Sequence, residues 1–466
     1  MFDFAVVGSG IGGSSIAALL SKKGYRVVMF EKDSNLGGCS GTFHHKGFLY
    51  STGATTLAGY EEGHVVKEIF DQIGITPALT EEEVGMCVLH NGKITKRYRE
   101  LDRFVSEVDK NYPHKKNEQF WKLVFEINRE FHKVKNYRYS NKNLFAKYFS
   151  LLSFLPLGWK FRKYLFRDAL DFIKEYYKEP ESDYIEFLEA QVFIVTQAKL
   201  KEINFFTAAV ALAYTFNKNY HVVGGFQKLF KELSEGVSEV HKKTEVKLIE
   251  KREQDYQLHT DRGEFLAKSV ILNSTVYQSD VLFDDQSIKK ELSRYKTLDN
   301  YQSTFVFYMT LKTDRKFMKH YQLIKEKCFS NSLSNALFVS FSDDFEKGLV
   351  SVTASLHTDY RIWYDNYKQK KKTLQNEIFE ELMSALEIDK ESVLDSFSAT
   401  PMTYKRYINR TQVGGNAILM KNYITKLPSN DTAIKGLYRV GDTTFAAQGW
   451  PGVMMGVRNL ARLLDV

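Results

Sequence analysis

The first thirty residues constrain this chain more than any other stretch. Residues 2–31 read FDFAVVGSGIGGSSIAALLSKKGYRVVMFE. The apolar run Phe4 to Val7 predicts a buried strand, Ser14 to Lys23 a helix rich in Ala and Leu, and Arg26 to Phe30 a second strand. Gly8, Gly10 and Gly13 take the GxGxxG positions between strand and helix. Gly8 permits the tight turn, Gly10 lets backbone approach a pyrophosphate, and Gly13 lets the helix lie close on the strand. The helix N-terminus then offers unpaired N–H groups and a positive dipole end to phosphate. Glu31 ends the second strand, where a carboxylate can accept bonds from ribose hydroxyls and would repel a 2′-phosphate. Strand, glycines, helix, strand and acid fall in one register, so the prediction is a dinucleotide-binding βαβ unit rather than a bare glycine turn.

Two further segments select FAD over NAD. LGGCSGTF at 36–43 places a second glycine pair just after the acid strand, where backbone can lie beside an FAD pyrophosphate. At the far end, GLYRVGDTTFAAQGWPGVMMGVRNLARLL (436–464) predicts a strand at Leu437–Val440, a Gly441-Asp442 turn and a helix from Gly452. Asp442 can bond the ribityl or phosphate groups, and the helix N-terminus near Pro451-Gly452 can stabilise charge at the N1–O2 edge of a reduced flavin. Trp450 is expected to face the flavin, because the loop ahead of Pro451 must pass beside the ring. The competing reading of this segment is an amphipathic helix that only closes the sheet.

Four blocks together resemble the FAD-dependent carotenoid desaturase superfamily (phytoene desaturase-like), nearest to its carotenoid cis–trans isomerase and retinol saturase branch. They are GSGIGG at 8–13, GGCSGTF at 37–43 with GFLYSTGAT at 47–55, VVGGFQKL at 222–229, and GLYRVGDTTFAAQGWPGV at 436–453. The resemblance implies cofactor contacts at Gly8, Gly10, Gly12, Gly13, Glu31 and its neighbour Lys32, Gly37, Gly38, Ser40, Val246, Gly441, Asp442, Gly452 and Val453. It also implies a strand at Ser269–Asn273 closing the FAD domain. One position departs from the wider amine-oxidase-like pattern, in which Arg commonly follows the glycine pair; here it is Cys39.

At 466 residues the chain exceeds one simple core, and 43% hydrophobic content with 7 prolines argues for a folded globular protein. The expected fold is α/β. A Rossmann-type FAD-binding domain with a parallel sheet, discontinuous in sequence, takes residues 1–75, 221–290 and 415–466. A substrate-binding domain takes 76–220 and 291–414, with an antiparallel sheet from Gln302–Lys312, Ala336–Ser342 and Leu349–Leu356 and helices through 100–190. The net charge of +8 is modest and interleaved with acids, which gives no basis for nucleic-acid binding. Cys39, Cys87 and Cys328 are far apart and form no CxxC pair, which suits a reducing cytoplasm; no histidine spacing builds a metal site.

Residues 148–159, YFSLLSFLPLGW, lack charge and are flanked by Lys142, Lys147, Lys160, Arg162, Lys163 and Arg167. Such a frame suits peripheral contact with the inner face of a membrane through 144–170; a helix hairpin packed inside the substrate domain fits equally well. Phe205, Phe206, Tyr214, Phe216 and Tyr220 could line an apolar tunnel or serve as core. No nucleophile motif and no catalytic side chain is singled out, as expected where the flavin carries the chemistry. The function these features imply is redox or isomerisation chemistry on C=C bonds of a lipophilic isoprenoid-like substrate. A flavin amine oxidase and a non-catalytic FAD-containing lipid- or quinone-binding protein are the alternatives; oligomeric state stays open.

Overall fold

The computed structural model describes residues 1–344, 348–421 and 426–466. It opens with strand Phe2–Val7, helix Ile11–Lys22 and strand Val27–Phe30. The strands run parallel, with Phe4 opposite Val27 and Val7 opposite Phe30. The helix begins three residues before its Ala/Leu pattern does, because Gly12 and Gly13 are drawn into its first turn. A Cβ on Gly13 would stand 2.0 Å from the Gly8 carbonyl oxygen, so only a bare Cα fits there.

Around this unit lies a seven-stranded sheet. Its path runs Glu239–His241, Val27–Phe30, Phe2–Val7, Gly263–Leu272, Tyr256–Thr260, Val246–Lys251. Strand Gly263–Leu272 is shared. Its first half pairs antiparallel with Tyr256–Thr260, and its second half pairs parallel with Leu437–Arg439 from the far end of the chain. The expected strand at 269–273 is the last part of this element. One face is covered by helices Ile11–Lys22, Val65–Ile73 and Gly449–Leu463, whose Ile16, Leu20, Phe70, Met454 and Leu460 share one apolar core.

A second seven-stranded sheet orders Val393–Ala399, Gln302–Lys312, Leu349–Asp359, Ala336–Asp344, His320–Ile324, Val84–His90 and Lys93–Tyr98. All three strands read from the sequence are present in it, and its only parallel pairing is between His320–Ile324 and Val84–His90. The hairpin at 84–98 was missed. Its signal is Asn91-Gly92, with φ of 47° and 72°, the paired left-handed geometry of a two-residue hairpin turn. The helices of 100–212 pack on this side, burying Phe104, Trp121, Phe187 and Leu212. The fold is thus the expected α/β class, a Rossmann-type parallel sheet beside an antiparallel one.

Gly13→Ala forces a methyl onto a backbone oxygen and is expected to lower unfolding free energy by about 1–3 kcal/mol in urea titrations. Gly236→Ala, at an ordinary φ with open space around it, should change it by less than about 0.5 kcal/mol. His357, edge-on to Phe193, is held by burial near a pKa of about 4. Its folded form stays neutral where the unfolded imidazole, titrating near 6.5, takes up a proton. Stability that is whole above pH 6.5 is therefore lost as pH falls towards 4, by at most about 3 kcal/mol from this group. His357→Leu should flatten that fall in urea titrations at pH 7 and pH 4.

Candidate functional site

One cavity of about 1380 Å³ joins the two sheets. That exceeds the ~300–1,000 Å³ of a single drug-sized site. Its first part is backbone. Gly8, Gly10 and Gly12 line it, and a Cβ on Gly10 or Gly12 would come within 2.8 Å of Asn273 or 2.9 Å of Val440. Gly13 does not line the cavity; it works from behind, seating the helix. That helix has Gly10 as its N-cap, no side-chain cap and no acid in its first turn. Its leading N–H groups are left for an anion.

The second glycine pair folds onto the first. Gly10 and Gly37 form a parallel bridge, and the Gly37 N–H donates to the Ser9 carbonyl at 3.1 Å. Gly38, Cys39 and the buried Ser40 then line the cavity wall. Burial pushes the Cys39 thiol up to about 11, so it stays protonated.

Glu31 is buried, and desolvation raises its pKa above the usual carboxylate value. Its Oε2 accepts the Ser9 N–H at 3.0 Å and the Ser9 hydroxyl at 2.5 Å, and Oε1 accepts the Asp33 N–H at 2.9 Å. These bonds aim the carboxylate at the cavity wall. Lys32 follows on the wall, donating to Asn409 Oδ1 at 2.5 Å and lying 3.4 Å from Glu245. Val246, at the start of its strand, lines the same region.

At the other margin, Gly441 and Asp442 reach the cavity at the end of strand Leu437–Arg439. Asp442 Oδ2 accepts a hydrogen bond from Arg410 Nη2 at 2.7 Å. The last helix starts at Gly449 rather than Gly452, because Gln448 is its N-cap; the Gln448 side chain donates to the Val195 carbonyl and caps no helix N–H, so these N–H groups too lack a side-chain cap. Gly452 and Val453 line the wall within its first turn. Trp450 touches the cavity, but its ring stacks on Phe226 at 5.6 Å and meets Phe70 edge-on at 6.0 Å. Most of that ring is therefore spent in the core beneath the cavity rather than presented to it.

Three lining groups escaped sequence reasoning. Asn273 donates to the Gly8 carbonyl at 3.3 Å, buttressing the glycine turn; it ends the SVILN strand, so position alone could have flagged it. Thr55 and Thr56 line the wall, bonded to Ser340 at 2.8 Å and Tyr214 at 3.1 Å. Arg410 carried no local signal.

Away from the glycines much of the wall is apolar, with Phe131, Phe154, Leu157, Phe166, Phe206 and Val210, interrupted by polar groups such as Asn204 and Asn217. The aromatic group at 205–220 divides accordingly. Phe206 and Tyr214 reach the cavity, Phe205 and Phe216 are core, and Tyr220 pairs in a small three-stranded sheet. His132 also lines the cavity, stacked on His64 at 4.2 Å, and burial lowers its pKa to about 3.

Comparison with known proteins agrees with this geometry. A family model described as an NAD(P)-binding Rossmann-like domain matches residues 6–73. Prolycopene isomerase 1 (chloroplastic) of an Oncidium hybrid cultivar is 26% identical over 520 residues, spanning 100% of this chain and 86% of that protein. Human all-trans-retinol 13,14-reductase is 42% identical over 71 residues, 15% of this chain and 12% of that protein. A putrescine oxidase with bound putrescine superposes with a TM-score of 0.67 at 13% identity, covering 100% of this chain and 99% of that one, a likeness of fold. The end-to-end similarity to a prolycopene isomerase and the shorter match to a retinol reductase fit the phytoene desaturase-like superfamily.

Proposed function

We propose that this chain is an FAD-dependent oxidoreductase that desaturates, saturates or isomerises C=C bonds of a lipophilic isoprenoid, carotenoid- or retinoid-like substrate. The observation that carries the reading is one large cavity, backbone-lined and polar at the glycines and largely apolar and aromatic beyond them. The residues present fit FAD. The diphosphate would meet the uncapped first helix, the adenosine ribose Glu31, the adenine Val246, the ribityl chain Asp442, and the flavin edge the uncapped Gly449–Leu463 helix. When bound, the cofactor supplies hydride chemistry at its flavin or transient electron donation to a polyene. The chain's own contribution is to hold an elongated apolar molecule against that ring and to keep water from it.

The test is anaerobic photoreduction of the purified holoprotein, followed by extracted isoprenoid lipids, with flavin absorbance and product mass recorded. Flavin reoxidation with a two-hydrogen mass change, or a new geometric isomer at unchanged mass, is expected. Peroxide release with amines alone would point to an amine oxidase, and no turnover with any lipid or quinone to a binding protein; either sinks the proposal.

Residues 144–170 support a membrane-facing role. Helix Leu144–Leu151 buries only Ser150, and helix Leu155–Lys160 buries nothing. Phe145, Trp159 and Phe166 are 82%, 72% and 84% exposed, large apolar side chains gathered in one short segment. Phe154, Leu157, Gly158, Leu165 and Phe166 of the same segment also line the cavity. A lipid-dissolved substrate would thus reach the cavity from the acyl layer. The cations contribute less than their number suggests, since Lys160 pairs with Glu126 and Arg167 with Glu175. Among the described residues no helix is long and apolar enough to cross a membrane, so the contact is interfacial. In liposome flotation the protein should rise with vesicles, and Phe145→Glu/Phe149→Glu/Trp159→Glu should lower the bound fraction at least tenfold. No bound wild-type protein, with or without anionic lipid, overturns it.

A further inference from the structure

Cys39 occupies the place where a guanidinium commonly follows the second glycine pair, yet a guanidinium is present. It arrives from another part of the chain. Helix Pro401–Ile408 ends at Asn409, whose left-handed φ of 52° turns the backbone so that Arg410 enters the glycine part of the cavity. Its side chain is only 15% exposed. Nη2 donates to Asp442 Oδ2 at 2.7 Å and to Gln412 Oε1 at 3.2 Å, and Nε donates to the Gln412 carbonyl. No hydrogen bond engages Nη1 among the described residues. Of the charges acting on the Cys39 thiol, that of Arg410 is the strongest, as befits a group standing close by.

The segment that carries Arg410 is wedged against the turn that carries Asp442. The Asn416 amide donates to the Thr443 carbonyl at 2.7 Å, and a Cβ on Gly415 would stand 2.6 Å from the Asp442 carbonyl oxygen. Charge makes the placement consequential. A diphosphate seated on the first helix meets only its partial dipole charge, of order +0.5, and Asp442 nearby would repel it. Lys32 is engaged by Glu245 and Asn409. Among the described residues Arg410 is the only arginine on the cavity wall.

Resting on the FAD reading above, we propose that Arg410 is the cation for the cofactor's diphosphate, supplied from across the cleft beside Cys39. With the cofactor bound, the guanidinium would face phosphate oxygens and the Asp442 carboxylate ribityl hydroxyls. Cofactor binding thereby also ties the 410–416 segment to the Rossmann sheet.

The experiment titrates FAD and riboflavin, which lacks the diphosphate, into the apo form of the full chain by calorimetry. Wild type, Arg410→Gln, Arg410→Lys and Cys39→Arg/Arg410→Gln are compared, with the apo melting temperature of each. Arg410→Gln should bind FAD at least tenfold more weakly with riboflavin affinity unchanged, and its apo melting temperature reports separately the cost of leaving Asp442 unpaired. Arg410→Lys should fall between, and the double variant should regain FAD affinity if it melts as wild type does. Unchanged FAD affinity in Arg410→Gln, or equal loss of FAD and riboflavin, overturns the proposal. Wild-type protein that takes up no FAD instead overturns the cofactor reading on which it rests.

Discussion

The structure depends on the approach of the first helix to the first strand. Gly13 and the Gly8 carbonyl leave no room for a Cβ between them, so the helix N-terminus is carried to the rim of the sheet with its amides unspent. Everything that lines the glycine part of the cavity is referenced to that rim. The Gly10–Gly37 bridge, the Ser9–Glu31 bonds and the Asn273 amide on Gly8 all close on the same few backbone atoms. The arrangement resembles a keystone: each bond is worth only about 1 kcal/mol, but none forms unless the helix is seated.

Under the proposed function, one cavity serves two chemistries. Phosphates and ribose hydroxyls need donors, acceptors and charge, while an isoprenoid chain needs dry aromatic wall. The chain separates them by topology. The glycine turns, Glu31 and the 441–442 turn come from the Rossmann sheet, whereas Phe131, Phe154 and Phe206 come from helices outside that sheet. Arg410 crosses that division, which is why it matters more than its single ion pair suggests.

The parts of the fold legible in sequence are those with local causes. The βαβ unit is written in consecutive residues, and the long strands at 302–312 and 349–359 announce themselves by β-branched and aromatic runs. The 84–98 hairpin was equally local and went unread, although Asn91-Gly92 marks its turn. Trp450 lies in the first turn of the last helix and touches the cavity, while Phe226, Phe230 and Phe70, distant in sequence, pack against its ring.

By itself, the sequence determined that a dinucleotide cradle opens the chain, that a second glycine pair and a late Gly-Asp turn return to it, and that 148–159 is apolar between cations. Each rests on backbone conformation or hydropathy over a few adjacent residues. Only the tertiary structure decided that Arg410 faces Asp442 and that the apolar segment is both exposed and part of the cavity wall. Those are relations between side chains up to hundreds of residues apart. They arise from the order in which strands pair and helices stack, and no short window of sequence contains that order.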